Sequence, residues 1–508
     1  MLRKVKVENG WVEGLPAADP RITSFKGIPF AAPPVGENRW RAPQPAQDWE
    51  GVLPCHAFGP IAMQAKPGLN HDNIYSREWN YDENQEQSED CLQLNVWTPA
   101  KSADEKLPVY VWYYGGGLQV GNPAEMEFDG ERIARRGVVV VTVNYRVNVF
   151  GFLCHPEITA EAPEAPANFG NLDQQFATRW VQRNIAAFGG DPKQITIGGQ
   201  SAGGGSVMAQ LTSPQNEGLF QGAIVESGVM TLLYPGGRAP GGARRDFAGA
   251  EQAGVDFFNF LGVKTLAEAR ALPAEFIRDK AVEYKGFWGT VADGKFCVGT
   301  PFELFAQNKR WPVPVMFGHT SSEFAAVPQV SSIQEFREMA EKLFGEDAEQ
   351  FLALCPSRFD SLDELKAKAK VNGIEYAVRV LARANEEAGT PAPIYYYNFD
   401  PTIPGWDNPG TFHSVDLWFF FETLAKCWRP FTGKHYDLAR LMCNYWADFI
   451  RNGDPNGRDA DGTRMPEWKP LDSAHPRAMY FGDGFVEYGR EEPSELMDFL
   501  VGQYFKNK

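Results

Sequence analysis

The stretch ITIGGQSAGGGSVMAQL, Ile195 to Leu211, passes from a strand-like run into a helix-like one around a serine set between glycines. Ile195 to Gly198 suit a buried strand, and Ser206 to Leu211 read as a small-residue helix. Between them Gly199-Gln200-Ser201-Ala202-Gly203 matches G-x-S-x-G. A chain that turns this sharply holds its corner residue in a strained conformation, and side chains two positions to either side would collide with the turn. Glycines remove the collision. The corner presents the Ser201 hydroxyl at the carboxyl end of a sheet, above a helix N-terminus whose unpaired N–H groups favour negative charge. The same five residues also suit an ordinary Gly/Ser turn, so Ser201 gains chemical meaning only through partners.

The alternation continues along the chain. PVYVWYY (Pro108 to Tyr114), VVVVTVNY (Val138 to Tyr145), ITIGG, GAIVES (Gly222 to Ser227), PVMFG (Pro314 to Gly318) and PIYYYNF (Pro393 to Phe399) have strand length and strand composition. Between two of them, NLDQQFATRWVQRNIAAFGGDP places Leu172, Phe176, Trp180, Val181 and Ile185 on one helix face and stops at Gly189-Gly190 and Pro192. Strand and helix in turn predict an α/β fold with a large, mostly parallel central sheet covered by helices on both faces. At 508 residues, length alone suggests about three domains, but large α/β enzymes run as one unit with excursions. One domain over 1–508 is expected, with cap or lid excursions at approximately 63–90, 231–290 and 325–390. The acidic loop Asn70 to Asp90, HPEITAEAPEAPANFG and YPGGRAPGGARR (Tyr234 to Arg245) are expected over the loop end of the sheet. Amphipathic material from Phe247 to Tyr284 and from Ile333 to Ala388 is too long for simple crossovers and is expected to form caps.

A net charge of −16 argues against nucleic acid as a partner, since phosphate binding is driven by Lys and Arg. The seven cysteines are odd in number, far apart and free of C-x-x-C spacing, which predicts free thiols rather than a disulfide framework or a zinc site. MLRKVKVENG lacks the apolar region of a signal peptide, and no run of about 18 apolar residues could span a bilayer. A cytoplasmic location is the expectation.

A serine hydroxyl becomes a useful nucleophile when an imidazole takes its proton and a carboxylate orients that imidazole. Seven histidines are available: His56, His71, His155, His319, His413, His435 and His475. His413, in PGTFHSVDLWFFFETL, follows the last strong strand, where a loop can bring it over the sheet. His319 directly follows PVMFG and reads as a packing residue. On G-x-S-x-G scaffolds the partners come in the order Ser, acid, His, which favours a late base and an acid between the two. Glu323 lies a few residues beyond the strand ending at Gly318. Asp293, in VADGKF, and Asp416, three residues after His413, are its rivals, although Asp416 breaks the order. YYGGGLQVG, directly after a strand, supplies bare backbone whose amides at Gly116 and Gly117, with that of Ala202, would form a three-donor oxyanion hole. Neither G-x-G-x-x-G nor a following Lys-Ser/Thr is present, which sets aside a dinucleotide or phosphate loop.

FKGIPFAAPPVGENRWRAPQP, SEDCLQLNVWTP, the glycine loop, VTVNYRVNVFGFL, the segment from Gly170 through the serine motif, and YWADFIRNGDPNG occur in one order. Together they resemble the type B carboxylesterase and cholinesterase-like family of α/β-hydrolases over nearly the whole chain. The resemblance implies an α/β-hydrolase fold and a serine carboxylic-ester hydrolase. Its implied triad is Ser201, Glu323 and His413, with Gly116, Gly117 and Ala202 as oxyanion donors. A small-molecule ester and water are the implied partners, with no metal and no organic cofactor. Ser227, in VESG, matches a family serine near the catalytic acid; a plain strand-end turn is its other reading. Tyr114 stands where the family usually has His, Gln200 where it has Glu, and Phe324 where Gly commonly follows the acid. Met63 occupies the usual upstream cysteine position, so Cys91 is expected to lack its disulfide. Tyr284 to Trp288 resembles the segment that shapes the acyl pocket, with Gly286 leaving room, and Trp79 loosely resembles an aromatic that holds the alcohol. Short to medium acyl esters are the expected substrates. A feruloyl (hydroxycinnamoyl) esterase and a lipase are the alternatives, and a non-catalytic cholinesterase-like binding protein is the alternative of another class.

Overall fold

The computed structural model describes residues 1–66, 68, 72–79, 84–229, 231–234, 246–357, 361–489 and 494–506. Among them an eleven-stranded sheet dominates. Its strands are β1 (Leu15–Pro16), β2 (Thr23–Pro29), β3 (Gln93–Thr98), β4 (Leu107–Tyr113), β5 (Val139–Val143) and β6 (Gly190–Gln200). They continue with β7 (Gly222–Glu226), β8 (Val315–Thr320), β9 (Ile394–Phe399), β10 (Met479–Gly482) and β11 (Phe485–Tyr488). In space the order is β11-β10-β9-β8-β7-β6-β4-β5-β3-β2-β1. From β10 across to β5 every pairing is parallel, while β11 at one edge and β3, β2 and β1 at the other pair antiparallel.

Every residue of β5, β7 and β8 is buried. Strands covered on both faces need apolar side chains at consecutive positions, which is why these runs were legible as unbroken hydrophobic blocks. Helix α1 (Phe169–Asn184) joins β5 to β6, and α2 (Ala202–Thr212) joins β6 to β7; both pack on β6. Within α1, Phe176 departs from the expected buried stripe: it is half-exposed beneath the Arg183 guanidinium. β6 begins at Gly190, ahead of ITIGG, with a register shift between Gly190 and Ile195.

Helical material occupies much of the expected cap segments, including α3 (Phe247–Leu261), α4 (Ala274–Tyr284) and α5 (Gly373–Glu387). Arg39 fastens the stretch between α3 and α4: its guanidinium donates to the carbonyls of Ala269, Arg270 and Leu272 at 3.2, 3.2 and 2.8 Å. The same group pairs with Glu89 at 2.6 Å. His71, residues 80–83 of the acidic loop and residues 235–245 of the Gly/Pro-rich stretch lie outside the described residues. All seven cysteines carry free thiols, Cys91 included. Among the described residues no helix is long and apolar enough to cross a membrane.

Candidate active site

β6 ends at Gln200 and α2 starts at Ala202, so Ser201 alone makes the corner. Its φ of 57° and ψ of −124° form a combination that non-glycine residues hold only when the surroundings impose it. Two hydrogen bonds do so: the Ser201 amide donates to the Glu226 carbonyl on β7 at 2.8 Å, and the Gly205 amide to the Ser201 carbonyl at 2.9 Å. A Cβ at Gly199 would stand 2.4 Å from the Gly203 carbonyl carbon, and one at Gly203 would stand 2.1 Å from the Tyr113 oxygen. Both flanking glycines are therefore demanded by close approach.

The Ser201 hydroxyl donates to His413 Nε2 at 2.8 Å, and His413 Nδ1 donates to Glu323 Oε2. The other Glu323 oxygen, Oε1, accepts from the Thr320 amide at 2.7 Å and from the Ser227 hydroxyl. Burial pushes this carboxyl up, but the charge and hydrogen bond of His413 and the Ser227 donor outweigh it and hold Glu323 below the usual carboxylate range. A carboxylate fixed at Nδ1 keeps the proton on that nitrogen and leaves Nε2 facing Ser201 as an acceptor.

The glycine loop lies against the same corner. Gly116 and Gly117 have φ of 111° and 68°, and an atom at the Gly115 Cβ position would be 3.2 Å from Ser201 Cβ. Ala202 opens α2, where an amide has no carbonyl one turn back. Residues 2–494 match the family model described as "Carboxylesterase family". The chain belongs to the carboxylesterase family. It is 32% identical over 469 residues to the para-nitrobenzyl esterase of Bacillus subtilis strain 168, covering 89% of this chain and 90% of that protein. It is 31% identical over 475 residues to a fumonisin B1 esterase of Sphingopyxis macrogoltabida, covering 88% and 82%. With a cocaine esterase of Homo sapiens it shares 32% over 483 residues, covering 90% and 83%. A solved PNB esterase matches with a TM-score of 0.79 at 28% identity, covering 99% of each chain. A carboxylesterase of Geobacillus stearothermophilus matches at 0.73 and 28%, covering 96% of this chain and 98% of that one. This carboxylesterase has the α/β-hydrolase fold and is a serine hydrolase of carboxylic esters.

The rivals for the triad positions are engaged elsewhere. Asp416 is fully buried and its Oδ2 accepts the Tyr397 hydroxyl at 2.8 Å; burial and the Glu323 charge push its carboxyl up to about 7. Asp293 accepts from the Asn168 side chain and from the amides of Lys295 and Cys297. His319 sits within β8 rather than in a loop, with Nδ1 3.0 Å from the Tyr396 hydroxyl, and burial pushes its imidazole down to about 4.

Tyr114, Gln200 and Gly286 have definite surroundings. Tyr114 points into the core, not the site: its hydroxyl donates to Tyr145 O at 2.9 Å, its ring stacks on Tyr145 at 4.2 Å, and Tyr145 donates back to Tyr114 O at 2.6 Å. It braces the glycine loop from beneath. The Gln200 amide lies 3.4 and 3.5 Å from the two His413 nitrogens, beside the ring rather than on its proton line. Gly286 opens no volume, because a Cβ there would be 2.8 Å from the Tyr284 ring; the missing side chain lets Tyr284 stack against Trp288 at 6.3 Å.

Phe324 has φ of 47°, a left-handed conformation that favours the glycine common at this position in the family, and its ring edge meets His413 at 4.6 Å. Trp288 is buried, and its carbonyl accepts from Gln119, whose amide also reaches Gly117 O at 3.0 Å. That side chain ties the aromatic wall to the glycine loop. Trp79 stacks on Tyr75 at 5.7 Å and meets Phe412, the neighbour of His413, at 6.2 Å. Sequence reasoning missed Thr320, Gln119 and Tyr75. Only Thr320 had an available signal, as the strand-end amide three residues before the acid.

Proposed function

We propose that this carboxylesterase cleaves short to medium acyl esters in two steps through an acyl-enzyme on Ser201. The hydrogen-bonded line Ser201–His413–Glu323, with its 2.8 Å first link, is the observation that carries this reading. His413 Nε2 takes the hydroxyl proton as Ser201 Oγ attacks the ester carbonyl, and Glu323 steadies the imidazolium. The amides of Gly116, Gly117 and Ala202 receive the negative charge on the former carbonyl oxygen. His413 then gives its proton to the departing alcohol. In the second step it draws a proton from water, hydroxide adds to the acyl carbon, and the acid leaves as Ser201 regains its hydrogen.

Trp288 bounds the acyl side, with Tyr284 and Phe257 behind it at 6.3 and 5.4 Å, which favours modest acyl length. Trp79 and Phe412 form the alcohol side beside His413. The chain works as one domain over 1–508, with caps at about 63–90, 231–290 and 325–390.

Rates across p-nitrophenyl acetate, butyrate, octanoate and palmitate, with methyl ferulate beside them, test the substrate reading. kcat/KM is expected to peak before octanoate. A maximum at palmitate would make the protein a lipase, and a preference for methyl ferulate would make it a feruloyl esterase. Gly116→Ala is expected to lower kcat about 10²–10³-fold, the usual cost of losing one oxyanion donor. A Cβ at Gly116 would stand 2.1 Å from Val120 O, so the loop must shift. An unchanged kcat would remove Gly116 from the hole.

A further inference from the structure

An ion cluster joins two pieces of chain that border the imidazole. The Arg429 side chain is wholly buried, as is its partner Glu78, which it meets through Nη2 at 2.5 Å and Nε at 2.7 Å. Its other edge holds Asp407: Nη1 lies 2.9 Å from Oδ1 and Nη2 lies 3.1 Å from Oδ2, while Nη1 also donates to Pro404 O at 3.1 Å. Arg77 adds a second cation on Asp407 Oδ2 at 2.8 Å. Two arginines and two carboxylates leave the cluster neutral, and only a planar five-donor fork can serve Glu78, Asp407 and a carbonyl at once. The space is shaped for it: a Cβ at Gly405, where φ is 155°, would stand 2.5 Å from Arg429 Nη1.

Each partner leads to the site. Glu78 belongs to the short helix Ile74–Trp79, which presents Tyr75 stacked on Trp79 at 16° between planes. Part-burial and the Glu323 charge push the Tyr75 phenol up. Asp407 lies in the segment that runs into Phe412 and His413, and the Arg429 guanidinium sits 5.2 Å from the Phe412 ring centroid. Phe412 in turn meets Trp79. A second anchor, Thr411 Oγ1 at 3.0 Å from Ser322 Oγ, holds the His413 loop to the Glu323 side. It makes no link to the aromatic helix; Arg429 makes that link, beside the direct bond from Arg77 of the same helix to Asp407.

We propose that Arg429 is a positioning residue: by clamping Glu78 and Asp407 it locks the Tyr75–Trp79 wall to the loop carrying His413. One cluster then sets both the preference for aromatic alcohol leaving groups and the aim of the imidazole. The inference rests on the two-step reading above. The exposed face of Tyr75 offers a flat apolar surface, which favours an aryl or arylalkyl alcohol over a small aliphatic one.

Benzyl acetate and ethyl acetate give the same acetyl-enzyme, so the ratio of their kcat/KM values reports only on the alcohol side. Wild type, Arg429→Met, Arg429→Lys, Glu78→Gln and Tyr75→Ala are compared, with active sites counted by stoichiometric organophosphonate labelling. In Arg429→Met the benzyl-to-ethyl ratio is expected to fall about tenfold or more, the size of effect that lost apolar contacts carry. Its ethyl acetate rate per labelled site falls too, because the His413 loop loses one of its anchors. Arg429→Lys keeps the charge without the fork and follows Met in the ratio, and Tyr75→Ala lowers the ratio as well. If Arg429→Met does not fold, Arg429→Lys and Glu78→Gln decide. A ratio unchanged in the folded cluster variants overturns the proposal, as does a loss confined to the labelled fraction with normal per-site rates, which would make Arg429 a stabilising residue only. Failure of wild type to label at Ser201 overturns the two-step reading instead.

Discussion

Ser201→Ala is expected to lower kcat by about 10⁶-fold, His413→Ala by a similar factor, and the double variant by no more than either alone. The equality follows from the 2.8 Å hydrogen bond between the two side chains: the hydroxyl is nucleophilic only while the imidazole takes its proton, and the imidazole has no other proton to move in the first step. Removing one member removes the function of both. Hydrolysis above the uncatalysed rate should persist in all three variants, because donors to the carbonyl oxygen and the binding walls remain. The measurement is kcat on p-nitrophenyl butyrate with protein purified free of host esterases. Losses that multiply in the double variant would mean that the two residues act independently, and a Ser201→Ala protein with wild-type turnover would place the nucleophile elsewhere.

The serine corner was legible because its demands are local. Gly199 and Gly203 are needed by contacts with residues a few positions away and with the adjacent strand β4, so the pentapeptide carries its own geometry. Strands β4 to β9 were legible for a related reason, since burial on both faces writes an unbroken apolar run. The outer strands were not: β3, QLNVWT, breaks its apolar run with Gln and Asn, β2, TSFKGIP, carries Gly and Pro, β1 has two residues, and β10 and β11 have four each. Chain order and strand ends favoured Glu323 and His413, and of what holds them the sequence indicated only Ser227, through the family resemblance. The Ser227 and Thr320 donors converge on Glu323 Oε1 from different strand ends, and only the sheet order, with β7 beside β8, puts them together.

Two side-chain directions lie beyond the reach of sequence. Tyr114 replaces a residue of the glycine loop and supports that loop from the core side, and Gly286, expected to leave room, is covered by the Tyr284 ring. In both cases the direction of one side chain decides, toward Tyr145 for Tyr114 and across Gly286 for Tyr284, and such directions are set by tertiary packing. The Arg429 clamp lay further out of reach. Glu78 and Arg429 are 351 positions apart, and each alone looks like a solvated charge.

Glu323→Gln is expected to keep the fold yet lower kcat about 10⁴-fold, the penalty typical of amidating a triad acid. The amide preserves shape and can still accept from Thr320, but it has no charge to stabilise the imidazolium and can offer N–H to Nδ1, which turns the imidazole to the wrong tautomer. Ser227→Ala removes one donor and leaves the charge, so its loss should be far smaller. Stability carries a second signature. The folded Glu323 carboxyl lies below its ordinary range, so its contribution is complete above its unfolded pKa of about 4.3 and disappears as pH falls through the lower folded value. Ser227→Ala withdraws a donor to the charged form, which raises the folded pKa and shrinks that contribution at neutral pH. Urea unfolding of wild type and Ser227→Ala at neutral and acidic pH should converge as Glu323 protonates. A Glu323→Gln protein with wild-type kcat would show that His413 is oriented without a carboxylate, leaving its ring held by the Phe324 edge and the loop anchors alone.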